Sequence, residues 1–172
     1  MPVTRMVTSR RMFNVPSLTD IQIVRCKALA LLARREHSRA ELTRKLRQRG
    51  YDNALIVSVV EQLVSEALLS EVRFAEAFIR SRMGSGYGPL RVAEELCQRG
   101  ISRADTQKFL QELEPNWPKI LFGVWRKKFS QPPNNMKEQA QQMRYLLYRG
   151  FTSAQVNTLM RHVSQLDFLA NE

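Results

Sequence analysis

Apolar residues recur along this chain at intervals of three and four, and stretches that alternate strictly between apolar and polar are missing. Ala28, Leu29, Leu31 and Leu32 mark one face, Leu42 and Leu46 a second, and Ile56, Val59, Val60 and Leu63 a third. The series continues with Phe74, Ala75, Phe78 and Ile79, and later with Ile120, Leu121, Val124, Trp125 and Phe129. Spacing of i, i+3, i+4 and i+7 gathers side chains on one side of an amphipathic α-helix. Residues 57–60 form the most β-branched run, yet they keep the helical period. Breaks fall at MGSGYGP (83–89), where Pro89 suits the first turn of a new helix, and at QPPNN (131–135). The pattern predicts an all-α protein.

Three of the helical faces lead into the same phrase: KLRQRGY at 45–51, ELCQRGI at 95–101 and YLLYRGF at 145–151. With Gly50, Gly100 and Gly150 in register, Leu46 coincides with Leu96 and Leu146, and Ala54 with Ala104 and Ala154. Val59 coincides with Phe109 and Leu159, and Leu63 with Leu113 and Val163. Matching positions at a fixed period are the signature of a repeat architecture. Each phrase also has the chemistry of a helix end. Glycine at C′ takes the left-handed conformation, and the leucine at C3 meets the apolar residue at C″ in a Schellman cap. Asp52, Ser102 and Thr152 then stand as N-caps of a following helix. Ser38 with Glu41, Ser102 with Asp105 and Thr152 with Gln155 have the spacing of capping boxes. The chain therefore reads as three tandem three-helix repeats, 24–69, 70–116 and 117–172, forming an elongated, curved array. Residues 1–23 read as a basic, partly disordered N-terminal arm.

Charge narrows the choice of partner. Lys and Arg number 27 against 16 acidic residues, a net charge of +11 with a pI near 10.4. Such an excess suits an anionic partner and says nothing about fold. Cys26 and Cys97 lack the spacing of a metal or redox pair, and reduced thiols are the expectation. The N-terminus has no apolar signal region, and no run approaches the ~18 apolar residues of a membrane span. A soluble, cytoplasmic protein without membrane contact is expected.

Catalytic chemistry finds no support. His37 and His162 lack partners at ligand spacing, and no phosphate-binding loop, nucleophile elbow or zinc-protease motif occurs. The glycines of MGSGYGP lack the lysine and preceding strand of a phosphate loop. No enzyme, cofactor or metal is expected. The candidates are basic faces: Arg34, Arg35, Arg39, Arg44 and Arg47 in the first repeat, and Lys119, Arg126, Lys127 and Lys128 in the third. Against this stands the ordinary alternative of solvated helix faces. Arg49, Arg99 and Arg149 precede helix C-termini, where a cation offsets the macrodipole by about 0.3–1 kcal/mol. They read as structural, as do the capping glycines Gly50, Gly100 and Gly150.

Several ordered motifs carry a resemblance: ALALLARREHSRAELTRKL (28–46), RFAEAF (73–78), Arg82 and GYGPLRVAEELCQRG (86–100). The chain from Cys26 to about His162 resembles RecX, the bacterial regulatory proteins that modulate the recombinase RecA. One local departure is Ser70-Glu71 where the family often has an acidic pair. The resemblance implies a non-enzymatic protein that binds the RecA–single-stranded-DNA filament and inhibits RecA recombinase, ATPase and co-protease activity. DNA repair, recombination and the SOS response would be modulated thereby. The expected partners are the RecA nucleoprotein filament and single-stranded DNA, with double-stranded DNA also open, and the protein acting as a monomer. The alternative is a direct, largely sequence-independent DNA-binding protein using its corners as helix-turn-helix readers. Recognition helices carry base-reading side chains at their start. Here the segments after the glycines begin Asp52-Asn53, Ser102-Arg103 and Thr152-Ser153.

Overall fold

The computed structural model describes residues 18–113 and 115–170, and the side chains of all of these except Leu18 and 164–170. Among the described residues there are nine α-helices and no strand. They are α1 (Leu18–Leu32), α2 (Arg39–Arg47), α3 (Asn53–Ser65), α4 (Glu71–Gly84), α5 (Pro89–Gln98), α6 (Arg103–Glu112), α7 (Trp117–Lys128), α8 (Met136–Tyr148) and α9 (Ser153–Ala170). The substantial helix-to-helix contacts run within α1–α3, within α4–α6 and within α7–α9. Each triplet encloses a core of its own: Ala28, Leu46, Ile56 and Leu63 in the first, Phe74, Ile79 and Leu96 in the second, Trp125, Leu146 and Phe151 in the third. Three tandem three-helix units in a linear array follow.

One boundary differs from expectation. The first helix begins at Leu18, inside the segment read as an arm. The reason is visible in its packing: Val24 is buried and Ile21 packs on the same core, extending the apolar row of Ala28 and Leu31 toward the N-terminus. The remainder of the expected arm, with its expected disorder, lies outside the described residues.

The corners follow helix-end chemistry. Gly50, Gly100 and Gly150 have φ of +82°, +89° and +89°. Each glycine N–H donates to the carbonyl three residues back, and in the second and third corners Ile101 N and Phe151 N reach Leu96 O and Leu146 O at 3.2 and 3.3 Å. Those are the two bonds of a Schellman cap. The N-caps form as well. Asp52 accepts from Ala54 N, Ser38 from Glu41 N and Ser102 from Asp105 N. Only Thr152 and Gln155 close a reciprocal box, at 2.9 and 3.2 Å. Glu41 instead turns its carboxylate to Arg35 and Arg99. Between α3 and α4, Ala67 holds the left-handed position at φ +56° without being glycine, while Leu68 N bonds Leu63 O.

Candidate functional site

The repeated corners also join the repeats. The second corner docks on the start of α2: Ser38 Oγ donates to Arg99 O at 2.6 Å, and a Cβ on Gly100 would stand 2.4 Å from Ala40 Cβ. Arg99 Nε lies 3.4 Å from Glu41 Oε1, and Arg73 donates to Glu36 across the same joint. The third corner docks on the start of α5. Gly88 N donates to Arg149 O at 2.9 Å and Leu90 N to Gly150 O at 3.0 Å. A Cβ at Gly88 would meet Gly150 C at 2.4 Å, which is why that N-cap has no side chain. Gly50 has no such neighbour, since a Cβ there meets nothing within 4 Å.

The three arginines beside these glycines thus differ. Arg49 and Arg99 each donate to the carbonyl four residues back, Lys45 O at 2.7 Å and Glu95 O at 2.8 Å. Such bonds satisfy carbonyls of the last helical turn. Arg149 reaches across the joint to Ser85 O at 3.1 Å and, on its own helix, donates to the Tyr145 hydroxyl.

The basic residues of the first repeat are partly engaged at home. Arg35 pairs with Glu41 at 2.9 Å, Arg39 pairs with Glu61, and Arg47 donates twice to Asn53 Oδ1. Arg34 and Arg44 are exposed. Behind them, His37 is buried, with Nδ1 2.9 Å from Arg35 O and Nε2 2.9 Å from Lys45 Nζ. Burial pushes the imidazole below its ordinary range and also lowers the Lys45 ammonium, with the Arg35 charge adding to both. Neutral His37 therefore donates from Nδ1 and accepts from Lys45.

The third repeat is different. Lys119, Lys127 and Lys128 converge, with Arg149, on a cavity of about 680 Å³ between the end of α4, α7 and α8. Met83, Ile120, Val124 and Tyr145 supply its apolar wall. Arg126 is exposed and does not line this cavity. The charge is also unevenly divided. Nine Lys and Arg face five acids over 24–69, and seven face seven over 70–114. Over 115–163 eight (Lys119, Arg126, Lys127, Lys128, Lys137, Arg144, Arg149 and Arg161) face Glu138 alone. Glu138 is itself occupied in capping α8 through Asn134 N and Asn135 Nδ2.

One feature escaped the sequence reading altogether. A ladder of cations and rings crosses from the second repeat to the third. Arg99 and Arg82 lie over Phe78 at 4.4 and 5.0 Å, and Arg82 continues to Tyr87. Arg91 bridges Tyr87 and the exposed Tyr148; Arg149 bridges Tyr87 and Tyr145, over which Lys128 also sits. Glu95 holds its foot, 2.8 Å from Arg82 Nε in an ion pair that lacks hydrogen-bond alignment. The signal was arginine near tyrosine in sequence, Arg82 and Arg91 around Tyr87 and Arg149 beside Tyr148, but its assembly depends on a joint between distant residues.

Among the described residues, no group of three or more His, Cys, Asp or Glu is gathered as a metal ion would require, and no helix is long and apolar enough to cross a membrane. What the geometry defines is a class: a tandem array of three-helix units, jointed through glycine corners and basic toward its ends. Comparison with known proteins makes this specific. The models of the first, second and third three-helix domains of RecX match residues 25–63, 70–110 and 119–160. The chain belongs to the RecX family. It is 52% identical to regulatory protein RecX of Pseudomonas putida strain KT2440 over 138 residues, covering 80% of this chain and 88% of that one. With regulatory protein RecX of Pseudomonas syringae pv. tomato the identity is 47% over 148 residues, 85% and 96% of the two chains. The crystal structure of RecX from Lactobacillus salivarius superposes with a TM-score of 0.74 at 20% identity, covering 86% of this chain and 98% of that one. At that identity the likeness is one of fold.

Proposed function

We propose that this protein is a non-enzymatic regulator that binds the RecA–single-stranded-DNA filament and inhibits RecA recombinase, ATPase and co-protease activity. In doing so it modulates DNA repair, recombination and the SOS response in the cytoplasm, as a monomer without cofactor. The observation that carries this reading is family membership across all three domains. Physical support comes from the charge distribution. A linear array with positive charge concentrated toward both ends suits a polyanionic filament, with Lys and Arg meeting phosphates or acidic protein faces. Contacts of that kind carry steep salt dependence and little sequence preference.

The basic faces are the contact surfaces in this reading: Arg34, Arg35, Arg39, Arg44 and Arg47 at one end, Lys119, Arg126, Lys127 and Lys128 at the other. The alternative, sequence-independent duplex binding through helix-turn-helix corners, is disfavoured by the joints. Gly100 and Gly150 are packed against Ala40 and Arg91, so those corners are engaged within the array. The test is charge reversal at Arg44 and Arg47 together, and separately at Lys127 and Lys128. Each pair is expected to weaken filament inhibition at least tenfold while leaving helicity by circular dichroism unchanged. Full inhibition by both double variants would refute the assignment of these faces.

A further inference from the structure

We propose that the cavity between the second and third repeats is a subsite for one unpaired nucleotide of single-stranded DNA. The inference rests on the reading that this protein works on a single-stranded DNA filament, and it adds where and how the strand is held.

Two glycines carry the argument. Gly123 lies in the middle of α7, where glycine is the least favourable residue apart from proline. Neither conformation nor packing demands it: its φ is not in the left-handed region, and an added Cβ would meet nothing within 4 Å. Gly84, in the last turn of α4 on the facing wall, is equally unconstrained. Both line the same cavity. Gly100 and Gly150, by contrast, have left-handed φ and close neighbours to account for them. The property that Gly84 and Gly123 share is empty space in front of them.

The surroundings specify what fills it. Lys119, Gly123 and Lys127 recur every four residues along one row of α7, with Ile120, Val124 and Lys128 on the next. Cations therefore stand at the rim beside an apolar wall that Met83 and Tyr145 extend. Among the described residues, no ion pair neutralises Lys119, Lys127, Lys128 or Arg149, whereas Arg35, Arg39, Arg73, Arg82, Arg91 and Arg99 are all paired. A planar apolar group flanked by several negative charges matches this arrangement. A nucleotide within a strand is such a group, its base against the wall and the phosphates on either side at the lysines and Arg149. The base must be unpaired, because a duplex keeps its bases stacked inside. Lys119, Lys127, Lys128, Gly84 and Gly123 are exposed, so a strand can cross the opening without being threaded.

The test measures binding of fluorescein-labelled oligothymidylate to the full chain by anisotropy, without RecA. Gly123→Leu is expected to fold with an unchanged or higher Tm, since the site is sterically open, and to bind at least tenfold more weakly. Lys127→Gln with Lys128→Gln is expected to lower affinity and to flatten the dependence of log K on log salt by ~0.7 for each phosphate that is no longer neutralised. An oligonucleotide of abasic sites should bind more weakly than oligothymidylate. Unchanged affinity of Gly123→Leu overturns the proposal. So does abasic DNA binding as tightly as oligothymidylate, or free thymidine monophosphate or ATP competing as well as the strand. Loss of RecA inhibition by Gly123→Leu with DNA binding intact also overturns it and makes the cavity a protein-facing surface. Wild-type protein that binds oligothymidylate through the cavity yet leaves RecA uninhibited supports the subsite and refutes the filament reading instead.

Discussion

Alanine substitutions at Gly50 and Gly150 separate the cost of a left-handed corner from the cost of a joint. Both glycines have positive φ, +82° and +89°. An L-residue there costs about 1–2 kcal/mol. Restricting the unfolded chain returns about 0.4–1 kcal/mol, leaving a net loss of about 1 kcal/mol. At Gly50 this is the whole effect, because the new Cβ meets no atom within 4 Å. At Gly150 it would stand 2.4 Å from Arg91 Cβ and 2.7 Å from Arg91 N, so backbone must move. Overpacking adds about 1–3 kcal/mol. Displacement also strains the bonds from Gly88 N to Arg149 O and from Leu90 N to Gly150 O, each contributing about 0.5–1.5 kcal/mol. The total for Gly150→Ala is at least about 3 kcal/mol. Trp117 and Trp125 are the protein's two tryptophans, and both belong to the third repeat. Urea unfolding followed by their fluorescence should shift strongly for Gly150→Ala and barely for Gly50→Ala, whose loss appears in far-ultraviolet circular dichroism. Equal shifts of the tryptophan transition in the two variants would refute the docking role of the third corner.

Two further outcomes follow from single residues. Ala67→Gly relieves an exposed alanine at φ +56° and is expected to stabilise the first repeat by about 0.5–1 kcal/mol, read as a higher urea midpoint. His37, buried beside Arg35 and Lys45 with Glu41 nearby, has its pKa lowered from 6.5 chiefly by burial. The unfolded chain therefore takes up a proton before the folded one does, so this stability is fully present above pH 6.5 and is lost progressively below it. Thermal midpoints should fall on acidification through that range, and His37→Gln should remove most of the slope.

The helices and their triplets were legible because their causes are local: apolar spacing, caps, and a glycine corner repeated every fifty residues. The start of α1 was not, since Ile21 and Val24 join the row of Ala28 only once a core exists to receive them. The joints were hidden for a different reason. Ser38 meets Arg99, and Gly88 meets Arg149, across sequence separations that no local pattern encodes. Reading the Arg-Gly arginines as helix-end cations captured the bonds of Arg49 and Arg99 to their own carbonyls, but not the reach of Arg149 into the preceding repeat. Lys119, Arg126, Lys127 and Lys128 could be grouped from the sequence, but not that Arg126 stands apart from the cavity the three lysines line. That Arg35 and Arg39 are already paired required the folding of the first repeat, and that Gly123 faces open space between cations required the packing of α7 against its neighbours.

The most direct measurement is RecA-catalysed ATP hydrolysis on single-stranded DNA with this protein titrated in. Progressive inhibition is expected at or below one protein per RecA protomer, relieved by rising salt. Undiminished hydrolysis at that ratio, with the protein folded and the DNA saturated with RecA, would contradict a filament-binding inhibitor.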